Sequence, residues 1–362
     1  MPKVKDYYNK IDTIAPFKTA YQWDNVGLLL GDMEMEVSRV ILALDVTDKI
    51  VEYAISTKSN LIISHHPILM QGVKNITQKK LLRLIENKIA LICAHTNLDV
   101  SKIGVNYVLA DMLSLQDIQP LNMYTDIGQY QITVYIPEDH LNKVMLSMHN
   151  AGAGIIGDYS HCATYFDTKG QYKPLEGSNP FIGSKNKLEQ VNEIKLEVLC
   201  EEMYLSNVLK AMHDSHPYET PAYYVIKLNQ LSPNYGIGCF GNLTNEIKLI
   251  DFATFVKQKL NAPYVKLWRE NSTNETLIKR VAVCGGSGNS VVSFAKQKAD
   301  VYVTGDFTYH QFLESPIPVI DAGHYYTENP GLHKLKDYIS DMGADIVCLP
   351  EEEHDIRKIT IV

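Results

Sequence analysis

Asn60-Leu-Ile-Ile-Ser-His-His-Pro67 is the stretch on which the fold turns. Its apolar run shows no polar alternation, so it reads as a strand buried on both faces. It ends at once in two histidines. Working outward, the pattern recurs on either side. Val40–Asp45 (VILALD) is another apolar run, with a helix expected over about 47–59. A helix expected over about 77–87 leads to Ile89–Ala94 (IALICA). That run ends in His95-Thr-Asn-Leu-Asp99, and a helix is expected over 104–113. Apolar strands separated by helices imply a mostly parallel sheet covered on both faces.

The last part of the chain repeats this style. Arg280–Cys284 reads as a strand, followed by the turn Gly285-Gly286-Ser287-Gly288 and a helix to about Lys298. Val301–Thr304 is a strand ending in Gly305-Asp306. Pro318–Asp321 is a strand ending in Ala322-Gly323-His324. A helix is expected from about Pro330, then a strand at Asp345–Leu349. Asn60–His66 matches Asp300–Asp306 in pattern, and His95-x-x-x-Asp99 matches His324-x-x-x-Glu328. Both matches fall in the same order, which predicts an internal repeat around one crevice.

The middle reads differently. Tyr130–Ile136 alternates as a half-exposed strand, and Leu141, Val144, Met145 and Met148 recur at helical spacing. Glu193–Leu199, a helix with Leu205, Val208 and Leu209, and a strand at Tyr223–Leu228 follow. Strand-helix-strand twice over is a ferredoxin-like pattern. The polar segment Thr168–Gln190 reads as a loop. The expected fold class is α/β: two related α/β halves forming one domain, interrupted by a ferredoxin-like (α+β) insert. The expected limits are 1–126 with 231–362 for the first and 127–230 for the insert.

At 362 residues the chain is long enough for two or three domains. Hydrophobic residues are 45% and charged residues 21%, which excludes a disordered or fibrous chain. Lys+Arg 34 against Asp+Glu 42 gives a net charge of −8, which argues against nucleic acid as a partner. No apolar run approaches the roughly 18 residues of a membrane span, and the first residues lack a secretory h-region. A cytoplasmic protein is expected. None of the six cysteines pairs as C-x-x-C. Cys93, Cys200, Cys284 and Cys348 lie in strand-like stretches and read as reduced, buried thiols.

His65, His66, Asp99, His324 and Glu328 all fall where a strand gives way to a loop or helix. In open α/β sheets the crevice lies there. One histidine alone is more often a core residue, but five such groups at equivalent strand ends point to a metal site. Imidazoles with carboxylates suit zinc, iron or manganese. Five ligands exceed one tetrahedral site, so Glu328 is a candidate bridge between two ions suited to hydrolysis. His95 is a further ligand, an acid/base, or a group behind the ligands. Asp306 and His310 face the His65-His66 position in the repeat, where Asp306 is as well explained as a helix cap. Gly285, Gly286, Ser287 and Gly288 form either an anion cradle or a plain tight turn. Gly236-Ile-Gly-Cys-Phe-Gly241 formally matches a dinucleotide fingerprint but lacks the strand-turn-helix context, so a loop re-entering the sheet is expected. Trp23-Asp24-Asn25 is expected to line the cavity, although a residue such as Trp23 more often packs. His213, His216 and Glu219 read as a helix end and turn rather than a metal site.

Tyr21-Gln-Trp-Asp-Asn-Val-Gly-Leu28, Ile63-Ser-His-His-Pro67, His95-Thr-Asn-Leu-Asp99, Val283-Cys-Gly-Gly-Ser-Gly288, Thr304-Gly-Asp306 and Gly323-His-Tyr-x-x-Glu328 together resemble the Nif-three-like family. Its members are also called GTP cyclohydrolase I type 2 homologs. The likeness covers both outer stretches. The insert resembles the PII/divalent-cation-tolerance type, with His216-Pro-Tyr-Glu-Thr-Pro221 its clearest piece. The resemblance implies a dinuclear metal centre on His65, His66, Asp99, His324 and Glu328. It also implies a homohexameric ring with the sites facing an internal cavity. The family usually carries Arg in the segment where Cys239 stands here, which puts an anion-binding group in question. The implied activity is hydrolytic opening of the guanine ring of GTP with two divalent ions, zinc first, and His95, Asp306 and His310 as catalytic candidates. The alternatives are a metal-binding regulatory or scaffold protein with a small-molecule-sensing insert, and a two-metal nucleotide phosphatase.

Overall fold

The computed structural model describes residues 1–69, 75–123, 128–157, 159–231, 235–269 and 271–348. Contacts divide the chain into two units, Met1–Met123 with Asn234–Val362, and Tyr124–Pro233.

The first unit holds two sheets. Strands β1 (Gly27–Leu30), β2 (Arg39–Ala43), β3 (Leu61–Ser64) and β4 (Ala90–Cys93) belong to one. Strand β5 (Gln116–Met123) belongs to the other. Between them run helices α1 (Val4–Ile14), α2 (Asp48–Ser56), α3 (Lys79–Glu86), α4 (Thr96–Val100) and α5 (Val105–Met112). In the second unit lie β6 (Gly128–Ile136), α6 (Leu141–Asn150), β7 (Thr164–Tyr172), β8 (Glu189–Glu201), α7 (Leu205–Ser215) and β9 (Tyr223–Leu231). The chain then returns to the first unit with β10 (Gly236–Lys248), α8 (Leu249–Lys259), β11 (Lys266–Trp268) and β12 (Leu277–Ser287). It continues through α9 (Val292–Lys298), β13 (Val301–Gly305), α10 (Tyr309–Glu314) and β14 (Val319–Asp321) to α11 (His324–Ile339) and β15 (Asp345–Cys348).

The strand orders are β1-β4-β3-β2-β15 and β11-β14-β13-β12-β10-β5. The first four strands of each order correspond. β1 on β4 and β11 on β14 are antiparallel, and the pairs that follow within each set are parallel. The internal repeat read from two short motifs is therefore a correspondence of four strands.

Side-chain alternation explains why the strands look uniformly apolar. Val40, Leu42, Leu61, Ile63 and Ile92 pack beneath Tyr7 and Ile11 of α1 and Leu335 of α11. Ile41, Ala43, Ile62 and Leu91 pack on the other face against Ile50 of α2 and Leu84 of α3. The second sheet is clothed in the same way, by α5 and α8 on one face and α9 on the other. Both faces of β2, β3, β4 and β13 are dry, so no polar alternation survives in them.

Three expectations need correction. Gly236–Gly241 is part of the long strand β10, not a loop, and pairs with β5 and β12. Thr168–Gln190 is not all loop, because β7 runs to Tyr172 and β8 begins at Glu189. Its residues are polar because β7 is an edge strand of its sheet. The last long helix starts at His324, with Pro330 inside it. Proline costs one hydrogen bond there, and burial of Leu332, Leu335 and Ile339 along the helix offsets it. The expected strand end at Leu349 lies outside the described residues.

The second unit has sheet order β7-β8-β6-β9, all antiparallel, along a β-α-β-β-α-β chain path. Its core is one-sided: Ile132, Val134, Leu196 and Val198 face Val144 and Met148 of α6 and Val208 and Met212 of α7. Tyr224 and Ile226 are exposed on the other face.

Ile63 leads directly into the paired histidines and is fully buried. Ile63→Ala is expected to lower unfolding free energy by about 2–5 kcal/mol, while Leu313→Ala on an exposed surface changes it by less than about 0.5 kcal/mol. Denaturant titration with an unchanged m-value checks both.

Candidate metal centre

The cluster forms where strand ends and helix starts of the first unit meet. β3 ends at Ser64 and presents His65 and His66; β4 ends at Cys93 and presents His95. Asp99 lies on the short α4, His324 begins α11, and Glu328 lies one turn further along it. The i, i+4 spacing puts the last two on one helix face, with His324 Nε2 2.9 Å from Glu328 Oε2.

The groups converge closely. Glu328 Oε2 lies 3.1 Å from His66 Nε2, and His66 Nε2 lies 3.3 Å from His324 Nε2. His65 Nε2 is 3.4 Å from Asp99 Oδ1 and 3.8 Å from Glu328 Oε1. Two triads have donor atoms close enough together to hold a metal ion: His65-His66-His95 and His66-His324-Glu328.

Each imidazole is held from behind. His65 Nδ1 is 2.8 Å from the Ala94 carbonyl oxygen. His66 Nδ1 is 2.9 Å from Asp45 Oδ1, His95 Nδ1 is 3.0 Å from Asp24 Oδ1, and His324 Nδ1 is 2.7 Å from Asp306 Oδ2. An acceptor at Nδ1 keeps the proton there and turns the Nε2 lone pair to the cluster. Four such lone pairs and two carboxylates face one another. His65 Nε2 and Glu328 Oε2 are both buried without a hydrogen-bond partner. A divalent cation would satisfy both atoms, so the donor set fits one.

The electrostatics agree. Burial opposes charge on His66, but Asp45 and Glu328 outweigh it and raise its pKa to about 10. Burial likewise opposes charge on His324, and Glu328 and Asp306 raise it to about 9. On Glu328 burial favours the neutral acid, yet the surrounding imidazoles hold the carboxyl well below its usual range. Burial pushes Asp99 up. On Asp24 burial is outweighed by hydrogen bonds from His95 and Thr96, and the carboxyl falls to about 2. The carboxylates draw positive charge into the cluster, which protons or a metal ion can supply.

Asp45 is not among the site residues read from the sequence, and Asp24, expected only to line the cavity, proves to be the anchor of His95. Asp45 had a signal, because it closes an apolar strand as His66 does. Asp306 is not the helix cap, since Thr308 holds that position. It adopts φ +57, a left-handed conformation that aspartate tolerates, while its carboxylate holds His324. His310 is exposed on α10 against Tyr309 and stands outside both triads. Exposure on a short surface helix, not a strand end, keeps it out. Trp23 is 57% exposed beside His95, stacked on Tyr21, rather than packed in the core.

The glycine turn is not an open anion cradle. Gly285 N donates to Asn106 Oδ1, Gly286 N to Thr327 Oγ1 and Gly288 N to Thr304 Oγ1. These donors are spent inside the fold. Gly286 instead makes room: a Cβ there would lie 2.0 Å from Glu328 Oε1, at φ +61. Cys239 is fully buried, its Sγ donating to the Asn106 carbonyl, and burial holds the thiol protonated. His216 uses both ring nitrogens, toward the Tyr135 carbonyl and from the Tyr218 amide, so it is a clamp for its own turn. Cys93, Cys200 and Cys284 are free and buried; the Cys348 side chain lies outside the described residues.

A cavity of about 760 Å³ reaches His66 and His324 and is lined also by Asp45, Asp306, Tyr264 and Lys266. Lys266 Nζ lies 2.9 Å from Asp321 Oδ2. No helix among the described residues is long and apolar enough to cross a membrane.

Two related α/β halves around a histidine-carboxylate cluster define a class of α/β protein with a candidate metal site. The chain belongs to the Duf34/NIF3 (NGG1p interacting factor 3) family, whose profile matches residues 2–354. It is 37% identical over 343 residues to a Staphylococcus epidermidis protein called "GTP cyclohydrolase 1 type 2 homolog", covering 92% of each chain. A Staphylococcus aureus protein of the same name is 38% identical over the same share. Among solved structures, a Bacillus cereus protein related to NIF3 superposes with a TM-score of 0.87 at 32% identity, covering 100% of this chain and 99% of that one. A Staphylococcus aureus protein superposes with a TM-score of 0.72 at 32% identity, over 98% of each chain.

Gly286→Ala is expected to displace Glu328, lower stability by more than about 1 kcal/mol, and weaken zinc binding. Thermal unfolding and a competition titration against a chromophoric chelator check the two effects.

Proposed function

We propose that the protein is a metal-dependent hydrolase with a two-ion centre on His65, His66, Asp99, His324 and Glu328. The observation that carries this reading is the convergence of imidazole Nε2 atoms whose Nδ1 atoms are all anchored. His66 and His324 bring Nε2 atoms within 3.3 Å of each other, an arrangement unfavourable for two bare lone pairs. Glu328 turns Oε1 toward His65 and Oε2 toward His66 and His324, so one carboxylate serves both groups. His65 and Asp99 would hold one ion, and His66 and His324 the other. Mixed imidazole and carboxylate donors suit zinc first, with iron and manganese next.

Ions held there would supply Lewis acidity and a lowered water pKa. The chain supplies the rest. Ala94, Asp45 and Asp306 fix the ring orientations. His95, held by Asp24, faces the first group and is placed for proton transfer or as a further ligand. Tyr264 and Lys266, the latter paired with Asp321, line the cavity and would meet the flat ring and the anionic end of a substrate. By likeness to the relatives named above, the reaction proposed is hydrolytic opening of the guanine ring of GTP. The second unit, with its β-α-β-β-α-β path and β7-β8-β6-β9 order, is proposed as a ferredoxin-like insert of the PII type.

The test is mass spectrometry of GTP incubated with zinc-loaded protein, with Glu328→Gln as the blank. A ring-opened, deformylated product made only by the wild type is expected. Phosphate release without loss of formate points to a phosphatase. Unchanged GTP, from protein measured to carry its metal, overturns the cyclohydrolase reading and favours a regulatory metal-binding protein. Asp45→Asn removes the anchor of His66 without touching an ion, and is expected to weaken zinc affinity by about 10–100-fold in a chelator competition.

A further inference from the structure

The second unit contains a cavity of its own, about 410 Å³, at one end of the open face of its sheet. Its walls are aromatic: Tyr135 of β6, Tyr172 of β7, Phe181, Tyr218 and Tyr224 of β9. Neighbouring rings meet at an angle. Tyr135 and Tyr224 have centroids 6.3 Å apart at 88°, Tyr172 and Tyr218 6.2 Å apart at 62°, and Phe181 and Tyr218 6.2 Å apart at 49°. Rings set in this way present faces and edges toward one space rather than stacking on each other.

The same cavity holds a carboxylate. Glu193 of β8 is only 8% exposed and lines it. Among the described residues Glu193 forms no ion pair; the nearby Lys195 is bound to Glu197 instead. Gly170 leaves the space that this carboxylate fills, since a Cβ there would lie 2.3 Å from Glu193 Oε2. The Tyr218 hydroxyl beside it is buried. Burial, then hydrogen bonding to Glu193 and its charge, keeps that phenol protonated. Other charges at the rim are Lys169, which is exposed, and Glu219, whose Oε1 accepts from the Asn179 amide. A buried carboxylate without a counter-ion costs free energy, and tyrosine faces attract cations.

We propose that this pocket binds a small organic cation, an alkylammonium or guanidinium, with its charge at Glu193 and its carbon atoms against the tyrosine rings. The His216-Pro-Tyr-Glu-Thr-Pro221 turn then has a use that the metal cluster does not explain. His216 clamps the turn to β6, and Tyr218, Glu219 and Thr220 line the pocket. The volume suits a molecule the size of a diamine, agmatine or choline. The inference does not rest on the hydrolase reading, because all of its residues lie in the second unit.

The experiment is calorimetric titration and saturation-transfer NMR of the full chain with putrescine, agmatine and choline. The neutral choline isostere 3,3-dimethylbutanol is the control for charge. At least one cation is expected to bind, and the alcohol to bind at least about tenfold more weakly. Glu193→Gln is expected to weaken the cation about tenfold or more. Tyr224, 60% exposed, can be cut back without harm to the core, and Tyr224→Ala is expected to weaken it about threefold. Zinc content is expected to be unchanged in both variants. Binding of none of the three cations overturns the proposal. So does equal binding of the alcohol, or equal affinity in wild type, Glu193→Gln and Tyr224→Ala.

Discussion

A buried carboxylate must be answered by positive charge, and Glu328 is the carboxylate to which the first unit is fitted. It is 4% exposed. Three imidazoles from two segments, His65 and His66 after β3 and His324 on α11, reach its oxygens. Each is fixed from behind by an acceptor that comes from yet another segment. Gly286 has no side chain because Glu328 occupies the space. Asp306 takes a left-handed backbone because His324 needs its carboxylate. Pro330 is tolerated inside α11 because the same helix carries His324 and Glu328 at one end and core leucines at the other.

The repeat accounts for where these groups come from, and also for the asymmetry of the centre. The two halves share four strands in the same order and sense. Yet the first half offers His65 and His66 at the end of β3, while the second offers Gly305 and Asp306 at the end of β13. One half supplies donors at that position, and the other supplies an anchor for a donor. At the next strand end both halves give a histidine and, four residues on, a carboxylate. Asp99 and Glu328 then diverge through their surroundings. Burial dominates at Asp99, whereas imidazoles crowd both oxygens of Glu328.

The second unit solves a different problem. Its sheet is covered on one face only, so its open face must carry polar and aromatic residues. Most of that face is solvated, but at one end the rings of Tyr135, Tyr172, Tyr218 and Tyr224 close around Glu193. The chemistry there, a carboxylate among tyrosines, is the reverse of the first unit's anchored imidazoles.

Local pattern alone marks which stretches are buried strands and which strand ends carry chemistry. Unbroken apolar runs at β2, β3, β4 and β13 arise only when both faces of a strand are covered, and each run stops where the side chains change. The repeat was legible for the same reason, because spacing within a strand-loop-helix unit is local. What tertiary structure decided is everything that depends on a partner distant in sequence. Polar β7 and glycine-rich β10 look like loops, and become strands because a neighbouring strand takes their hydrogen bonds. The amides of Gly285, Gly286 and Gly288 look free, and are spent on Asn106, Thr327 and Thr304. Asp24 and Asp45 become anchors only when β4 and β3 bring His95 and His66 beside them. Local pattern records the burial of a residue's own segment; hydrogen-bond partners and charges from other segments leave no periodic trace in it.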